Sequence, residues 1–218
     1  MKLGILGGTF DPIHLGHLRA AEEVGQKLNL EKVYLIPSAS PPHKTDEPVA
    51  PFYHRLEMAR LAVGDSHLLE VLDLEGKRPG LSYSIETLRE FHDVFGPQPE
   101  LFFILGMDAF LEVEMWKDYR DLFEYAHFII IKRPGFQEHE LEPFLSKIGL
   151  RVKRTDQPDV FKVPSGYTVV QMFTTPMGIS STSIREMITR GKSVRFLLPE
   201  TVRKYILERG LYRDNASP

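Results

Sequence analysis

Gly7-Gly8-Thr9-Phe10-Asp11-Pro12-Ile13-His14-Leu15-Gly16-His17 stands between a short apolar run, residues 3–6, and an amphipathic segment, residues 15–28. The run reads as a buried strand. In the segment, Leu15, Leu18, Ala21, Val24 and Leu28 fall on one side of a helix. The quoted string is therefore the turn by which a strand enters a helix. Gly7 and Gly8 let the backbone turn tightly and lie close to a ligand. Amides there, with those opening the helix, face one anion-sized space, and Thr9 adds a hydroxyl donor. His14 and His17 are three apart, so at a helix start their rings share a face, with Cβ atoms about 5–6 Å apart. Two imidazoles beside a helix N-terminus suit a polyphosphate, as donors when neutral and as cations when protonated. Gly16 leaves the surface between them bare. The string lacks the His-Glu-x-x-His spacing of a zinc site and fits neither the Rossmann nor the Walker glycine pattern. Each histidine alone is unremarkable chemistry; the joined string points to phosphate.

The same alternation continues outward. Residues 33–36 read as a strand stopped by Pro37, 52–63 as a helix, 68–72 as extended chain, and 84–95 as a helix closed by Gly96 and Pro97. Residues 101–105 and 128–131 are continuous apolar strands, and 169–173, apolar but for Gln171, is another. Helices follow at 183–190, with Gly191 beyond, and at 201–209, ending at Gly210. Strands of this kind between helices predict an α/β fold: a Rossmann-like, doubly wound parallel sheet covered on both faces. Such sheets bind ligands at the carboxyl ends of their strands. The expectation is one domain over residues 1–218, with a helical C-terminal part over 180–218. Residues 38–51 are Pro-rich and aperiodic, a long loop of the functional kind. Residues 151–166 are also irregular, either a mobile segment or a surface insertion.

The chain has 218 residues, enough for a sizeable core in one domain. With 27 Lys and Arg against 30 Asp and Glu, the net charge is −3, so no global basic field holds a nucleic-acid backbone. A polyanion must be bound locally. Cysteine is absent, which excludes disulfides and thiolate metal sites and fits a reducing cytoplasm. The first apolar run is too short for a signal peptide, and no stretch approaches the roughly 18 apolar residues of a membrane span. No dedicated carboxylate cage for a metal is visible. A homo-oligomer is left open.

A second string, Ile179-Ser180-Ser181-Thr182-Ser183-Ile184-Arg185, follows the strand at 169–173 and opens a helix. Ser180 or Ser181 caps that helix, its free amides face an anion, and Arg185 supplies a fixed charge. Alone, this is a plain capped helix; paired with the histidine string, it becomes the second wall of a phosphate site.

Together the strings resemble the nucleotidyltransferases with a Rossmann-like fold and a His-x-Gly-His signature, relatives of the class I aminoacyl-tRNA synthetases. Within that superfamily the chain resembles bacterial-type nicotinate mononucleotide adenylyltransferases over nearly its whole length. Pro41-Pro42-His43-Lys44, Leu81-Ser82-Tyr83-Ser84, Gly106-Met107-Asp108, Trp116, Lys132-Arg133-Pro134-Gly135 and the tail from Leu197 to Tyr212 carry it. The resemblance implies adenylyl transfer from ATP, with Mg²⁺, to nicotinate mononucleotide, giving nicotinate adenine dinucleotide and pyrophosphate in NAD synthesis. It implies that Gly7, Gly8, Thr9, Phe10, His14 and His17 hold the ATP phosphates, together with Ile179, Ser180, Ser181, Thr182 and Arg185. Gly106 and Asp108 would serve the ribose and adenine, with Asp108 accepting a ribose hydroxyl or positioning magnesium through water. His14, His17, Lys44 and Arg185 would be catalytic.

For the acceptor, the resemblance implies His43, Lys44, Ser82, Tyr83, Ser84, Trp116, Lys117 and Arg133. An indole face stacks on a pyridine ring. Backbone amides near Tyr83 and Trp116 would bind the nicotinate carboxylate, against which a carboxamide NH₂ would set donor to donor. Read alone, Lys44 is a solvated loop cation, Trp116 a core or surface aromatic, and Arg133 a surface salt-bridge partner. Two positions depart from the common pattern: Ser84 where many relatives have Thr, and Lys117 where many have an aromatic residue. A phosphopantetheine adenylyltransferase is the nearest rival, although those chains lack the Ser82–Tyr83–Ser84 and Trp116 segments. A non-catalytic nucleotide sensor is the rival of a different class.

Overall fold

A computed structural model of the chain describes residues 1–42, 49–96, 99–132, 141–157 and 159–213. Among them one eight-stranded sheet runs in the order β3-β2-β1-β4-β5-β8-β7-β6. Its strands are β1 (Lys2–Gly8), β2 (Lys32–Pro37), β3 (Leu69–Val71), β4 (Glu100–Gly106), β5 (His127–Lys132), β6 (Lys153–Arg154), β7 (Val160–Lys162) and β8 (Thr168–Phe173). The helices are α1 (Leu15–Leu28), α2 (Phe52–Val63), α3 (Ser84–Phe95), α4 (Met107–Phe110), α5 (Tyr119–Leu122), α6 (Leu141–Lys147), α7 (Ser181–Thr189) and α8 (Glu200–Arg209).

The apolar strands β1, β4 and β5 are buried on both sides, as expected of a parallel sheet, whereas β8 is only partly buried and its Phe173 is exposed. Along β4, Leu101, Phe103 and Leu105 enter the core beneath α3 to α6, while Phe102 and Ile104 enter the core beneath α1, α2, α7 and α8. The period of two sends alternate residues to opposite faces. Ile184, Ile188, Val202 and Ile206 of the last two helices share that second core with Leu6 and Phe10. At Gly4 a Cβ would lie 2.9 Å from Leu30 and 3.0 Å from Val33, so only glycine lets α1's following turn close onto β1.

β1 pairs in parallel with β2 on one side and β4 on the other. The chain builds leftward from β1 to β3 and then crosses to β4, so the order reverses between β1 and β4. A crevice opens at the carboxyl ends of strands at such a reversal.

One expectation needs correction. Residues 151–166 are not irregular chain: they contain β6 and β7, which pair antiparallel with each other, and β7 pairs antiparallel with β8. The sheet is therefore mixed at one edge. Phe161 and Val163 are buried there, packing the segment onto the α6 core. Two- and three-residue strands are too short to declare a period.

Candidate active site

A cleft of about 640 Å³ lies over the carboxyl ends of β1 and β4, lined by Gly7, Gly8, Leu105 and Gly106 among others. That size is typical of a small-ligand site. Thr9, His14, His17 and Ile179 line it from the α1 and α7 side of the sheet; Ser82, Tyr83, Ser84, Trp116 and Lys117 line it from the opposite, α3 side.

The opening loop is tightly organised. Phe10 adopts φ 50° and is buried, with its ring edge-on to His17 at 5.1 Å. A Cβ at Gly8 would sit 3.0 Å from that ring. His14 caps α1 and is only 1% exposed; its ring stacks on His17 at 3.7 Å, with 20° between the planes. The His14 amide donates to His17 Nδ1 at 3.3 Å. Because Nδ1 accepts, the proton of a neutral His17 ring sits on Nε2. Gly16 has a further function beyond leaving bare surface: a Cβ there would meet the His14 ring at 3.1 Å. One amide expected to face the anion does not. Leu15 N–H donates to Leu197 O at 3.0 Å, because the turn before α8 packs over the start of α1.

The two phosphate strings are bonded to each other. Ser181 Oγ donates to Pro12 O at 2.9 Å, and Arg185 Nη1 donates to Asp11 O at 2.8 Å. Ser180 is the cap of α7, its hydroxyl accepting from Ser183 N–H at 3.1 Å. Ile179 lines the cleft, whereas Phe10, Ser180, Ser181, Thr182 and Arg185 are not among its lining residues. Thr182 Oγ1 takes a longer, 3.4 Å bond from Arg185.

Asp11 and Arg55 are the supports that sequence reasoning missed. The Asp11 carboxylate is buried, accepts from Tyr212 Oη at 2.6 Å and from Ala50 N–H at 3.3 Å, and lies 3.8 Å from Arg185. Burial, reinforced by Asp11, pushes the Tyr212 hydroxyl well above its ordinary pKa, so it stays a donor. Arg55 is 2% exposed and donates to four carbonyls: Thr9 and Ser38 at 2.7 Å, Ala50 at 2.8 Å and Ala39 at 3.2 Å. Burial lowers its pKa, and Asp11 opposes that shift. Arg55 thereby fixes the phosphate loop against the loop after β2. Its only sequence signal is a cation on a helix face otherwise committed to the core.

The cleft's third wall is Thr174, Thr175 and Pro176, after β8. Glu23 of α1 holds it, both carboxylate oxygens accepting from Thr175 N–H at 3.2 and 3.0 Å. Those bonds, with Arg19 beside it, bring the Glu23 pKa down to about 2. Asp108 lines the cleft at the end of β4, its carboxylate folded over Gly106, where a Cβ would meet it at 2.3 Å.

At the far end, Ser82 N–H donates to Ser40 O at 2.9 Å and Ser82 Oγ accepts from Ser40 N–H at 3.1 Å. This clasp joins the loop after β2 to the start of α3, which Tyr83 caps and Ser84 opens. Glu86 N–H donates to Tyr83 O at 3.0 Å, which leaves the amides of Ser84 and Ile85 as the ones without an intrahelical acceptor. Trp116 packs edge-on to Phe103 at 6.4 Å, and its own amide is committed to Val113 O. Lys117 turns away onto α3, 2.6 Å from Glu86 and 4.7 Å over the Tyr83 ring. His43, Lys44 and Arg133 lie outside the described residues. No three His, Cys, Asp or Glu among the described residues come together to hold a metal ion.

A mostly parallel sheet with the paired histidines at its order reversal is the arrangement expected of a nucleotidyltransferase. Residues 5–187 match the family described as cytidylyltransferase-like, and the chain belongs to that family. Its curated relatives sharpen the assignment. It is 43% identical over 98% of its length to 99% of a probable nicotinate-nucleotide adenylyltransferase of Geotalea daltonii. It is 44% identical over 97% of its length to the whole of one from Desulfatibacillum aliphaticivorans. The chain is thus a member of the nicotinate-nucleotide adenylyltransferase family. The Plasmodium falciparum nicotinic acid mononucleotide adenylyltransferase, solved in complex with NaAD, superposes with a TM-score of 0.75 over 97% of both chains at 20% identity, which bears on the fold.

Proposed function

We infer that the chain transfers the adenylyl group of ATP to nicotinate mononucleotide, releasing pyrophosphate and forming nicotinate adenine dinucleotide in NAD synthesis, with the cleft divided between the two substrates. The observation that carries the division is the direct bonding of the two phosphate strings at one end of a cleft whose other end holds Trp116 and the N-terminus of α3.

In this reading the 5′-phosphate oxygen of the acceptor attacks the α-phosphorus of ATP in line, and the bond to the bridging oxygen of pyrophosphate breaks. The acceptor phosphate is already anionic, so no strong base or side-chain nucleophile is needed. The protein's contribution is position and charge neutralisation. Gly7 and Gly8, the last residues of β1, with Thr9 and Gly16 present backbone to the triphosphate, and His14 and His17 donate to oxygens on which charge builds. Arg185, fixed by Asp11, adds positive potential from behind the wall. Magnesium bound with ATP would neutralise further phosphate charge, and the Asp108 carboxylate fits a role in holding it through water. Lys44 and His43 would reach the phosphates from the loop after β2, and Arg133 the acceptor side.

Trp116 would stack on the pyridine ring, and the amides of Ser84 and Ile85 at the start of α3, with that of Lys117, would receive the carboxylate. Trp116's own amide is not available for this, and neither is that of Ser82. The departure at position 117 costs little here, because the Lys117 side chain lies on Tyr83 and leaves its backbone at the cleft. We place the enzyme in the cytoplasm, acting on small molecules without nucleic acid or membrane. No helix among the described residues is long and apolar enough to cross a membrane.

The test is pyrophosphate release from ATP with nicotinate mononucleotide, nicotinamide mononucleotide or phosphopantetheine as acceptor. Fast release with the first and slow release with the others is expected. Release with phosphopantetheine alone, or with none, overturns the reading.

A further inference from the structure

We propose that Glu75 binds the acceptor directly, its carboxylate taking a hydrogen bond from a ribose hydroxyl of the mononucleotide. This rests on the acceptor reading of the cleft end formed by Ser82–Ser84 and Trp116.

Glu75 follows β3 in a single 3₁₀ turn and forms part of the cleft wall beside Ser82, Ser84 and Thr87. It is only 7% exposed. Its Oε1 accepts from Thr87 Oγ1 at 2.8 Å. Arg78 Nη2 donates to that same hydroxyl at 3.0 Å, so the hydroxyl's own proton is directed at Glu75. Arg78 is itself held by Glu90 at 3.0 Å and stays 4.0 Å from Glu75. One carboxylate oxygen is therefore fixed and oriented. The other, Oε2, is shut off from solvent and has no hydrogen-bond partner among the described residues.

A buried carboxylate oxygen with no donor bears its desolvation cost uncompensated. In this proposal the Glu75 carboxyl, part of the cleft wall, turns Oε2 toward the acceptor as it enters, and the substrate supplies the missing donor. Nicotinate mononucleotide offers few. Its ring carboxylate and its phosphate are anionic at neutral pH and would be repelled. Its hydrogen-bond donors are the two ribose hydroxyls. ATP carries donors too, but its phosphates are assigned to the opposite end. The ribose of the acceptor is thus the partner whose chemistry fits, and Glu75 would select a ribonucleotide over a deoxyribonucleotide.

The experiment measures steady-state rates with nicotinate mononucleotide and its 2′-deoxy and 3′-deoxy forms, for the wild type and Glu75→Gln. In the variant the Thr87 proton holds the amide oxygen, so an NH₂ stands where Oε2 was. One deoxy form should lower wild-type kcat/KM for the acceptor roughly ten-fold or more. Glu75→Gln should lower it similarly with the parent acceptor, leave KM for ATP unchanged, and lose little further with that deoxy form. If Glu75→Gln does not fold, Glu75→Asp, one methylene shorter, is read the same way. Equal turnover of all three acceptors by the wild type overturns the proposal whichever variant folds. So do losses that multiply when substitution and deoxy form are combined. Failure of the underlying acceptor reading is distinct: Trp116→Ala would then leave the acceptor KM unchanged.

Discussion

Arg185 Nη1 donates to the main-chain oxygen of Asp11 at 2.8 Å, although 174 residues separate the two. The same guanidinium nitrogen lies 3.8 Å from the Asp11 carboxylate, which Tyr212 holds from the other side. The second phosphate string is thus locked to the first through its arginine. A lysine keeps the charge but not the planar fork that serves Asp11 and Thr182 together. Arg185→Lys should therefore lower kcat/KM for ATP about ten-fold or more, as expected for loss of a hydrogen bond with a charged donor. Initial rates against ATP at saturating acceptor check this; an unchanged kcat/KM would remove Arg185 from the site.

Arg55 predicts a stability effect rather than a chemical one. Its four acceptors are main-chain carbonyls of the phosphate loop and the loop before α2, and removing it leaves several of them buried without a donor. Arg55→Met, which keeps much of the volume, should cost about 3 kcal/mol or more. Urea denaturation measures the loss. A midpoint within error of wild type would mean that water replaces the guanidinium freely.

Glu23 gives a prediction in pH. Its pKa is depressed from 4.5 to about 2 in the folded chain by Thr175 and Arg19. A depressed carboxylate contributes stability that is fully present above the unfolded value and is lost as pH falls through the folded one. The difference in melting temperature between wild type and Glu23→Gln should then be largest above pH 4.5 and shrink as pH falls toward 2. Because Thr175 lines the cleft, the variant should also raise KM for ATP more than KM for the acceptor. A pH-independent difference in melting temperature would detach Glu23 from this role.

The strands and long helices were legible because their signals are local. Helices α1, α2 and α3 begin and end where apolar period, Pro and Gly place them, and β1, β4 and β5 are apolar runs that only a doubly covered sheet buries. What escaped is what depends on distant partners. Asp11 lies inside the quoted string, yet nothing local shows that its carboxylate meets Tyr212 from the other end of the chain. Arg55 reads as an ordinary helix cation until four carbonyls surround it. The sequence alone offers all the amides opening α1 to an anion, and only the packing of Leu197 over α1 shows that Leu15 N–H is already used. Strand β7 is set by pairing with β8, and the edge strand β6 by pairing with β7, not by their own few residues. At the site, the histidines and Trp116 were identifiable as residue types in a pattern, whereas Glu75 stands in a short turn between motifs and becomes notable only through an unsatisfied oxygen.

His17 carries the last prediction. Its Nδ1 accepts from the His14 amide, so Nε2 carries the proton of the neutral ring, which lines the cleft as a donor. A donor aimed where charge develops in the transition state is worth about 2.7–4 kcal/mol by analogy with oxyanion donors. His17→Ala should thus lower kcat by about two to three orders of magnitude. The folding cost is smaller: the variant loses the stack on His14 and the edge contact with Phe10, aromatic contacts worth about 1 kcal/mol each. His17→Gln, whose amide nitrogen can stand near the Nε2 position, should recover part of the rate while lacking both ring contacts. Stopped-flow measurement of product formation beside thermal melts separates the two effects. If Ala and Gln lose rate equally and in step with stability, His17 supports the loop and does not touch the reacting phosphates.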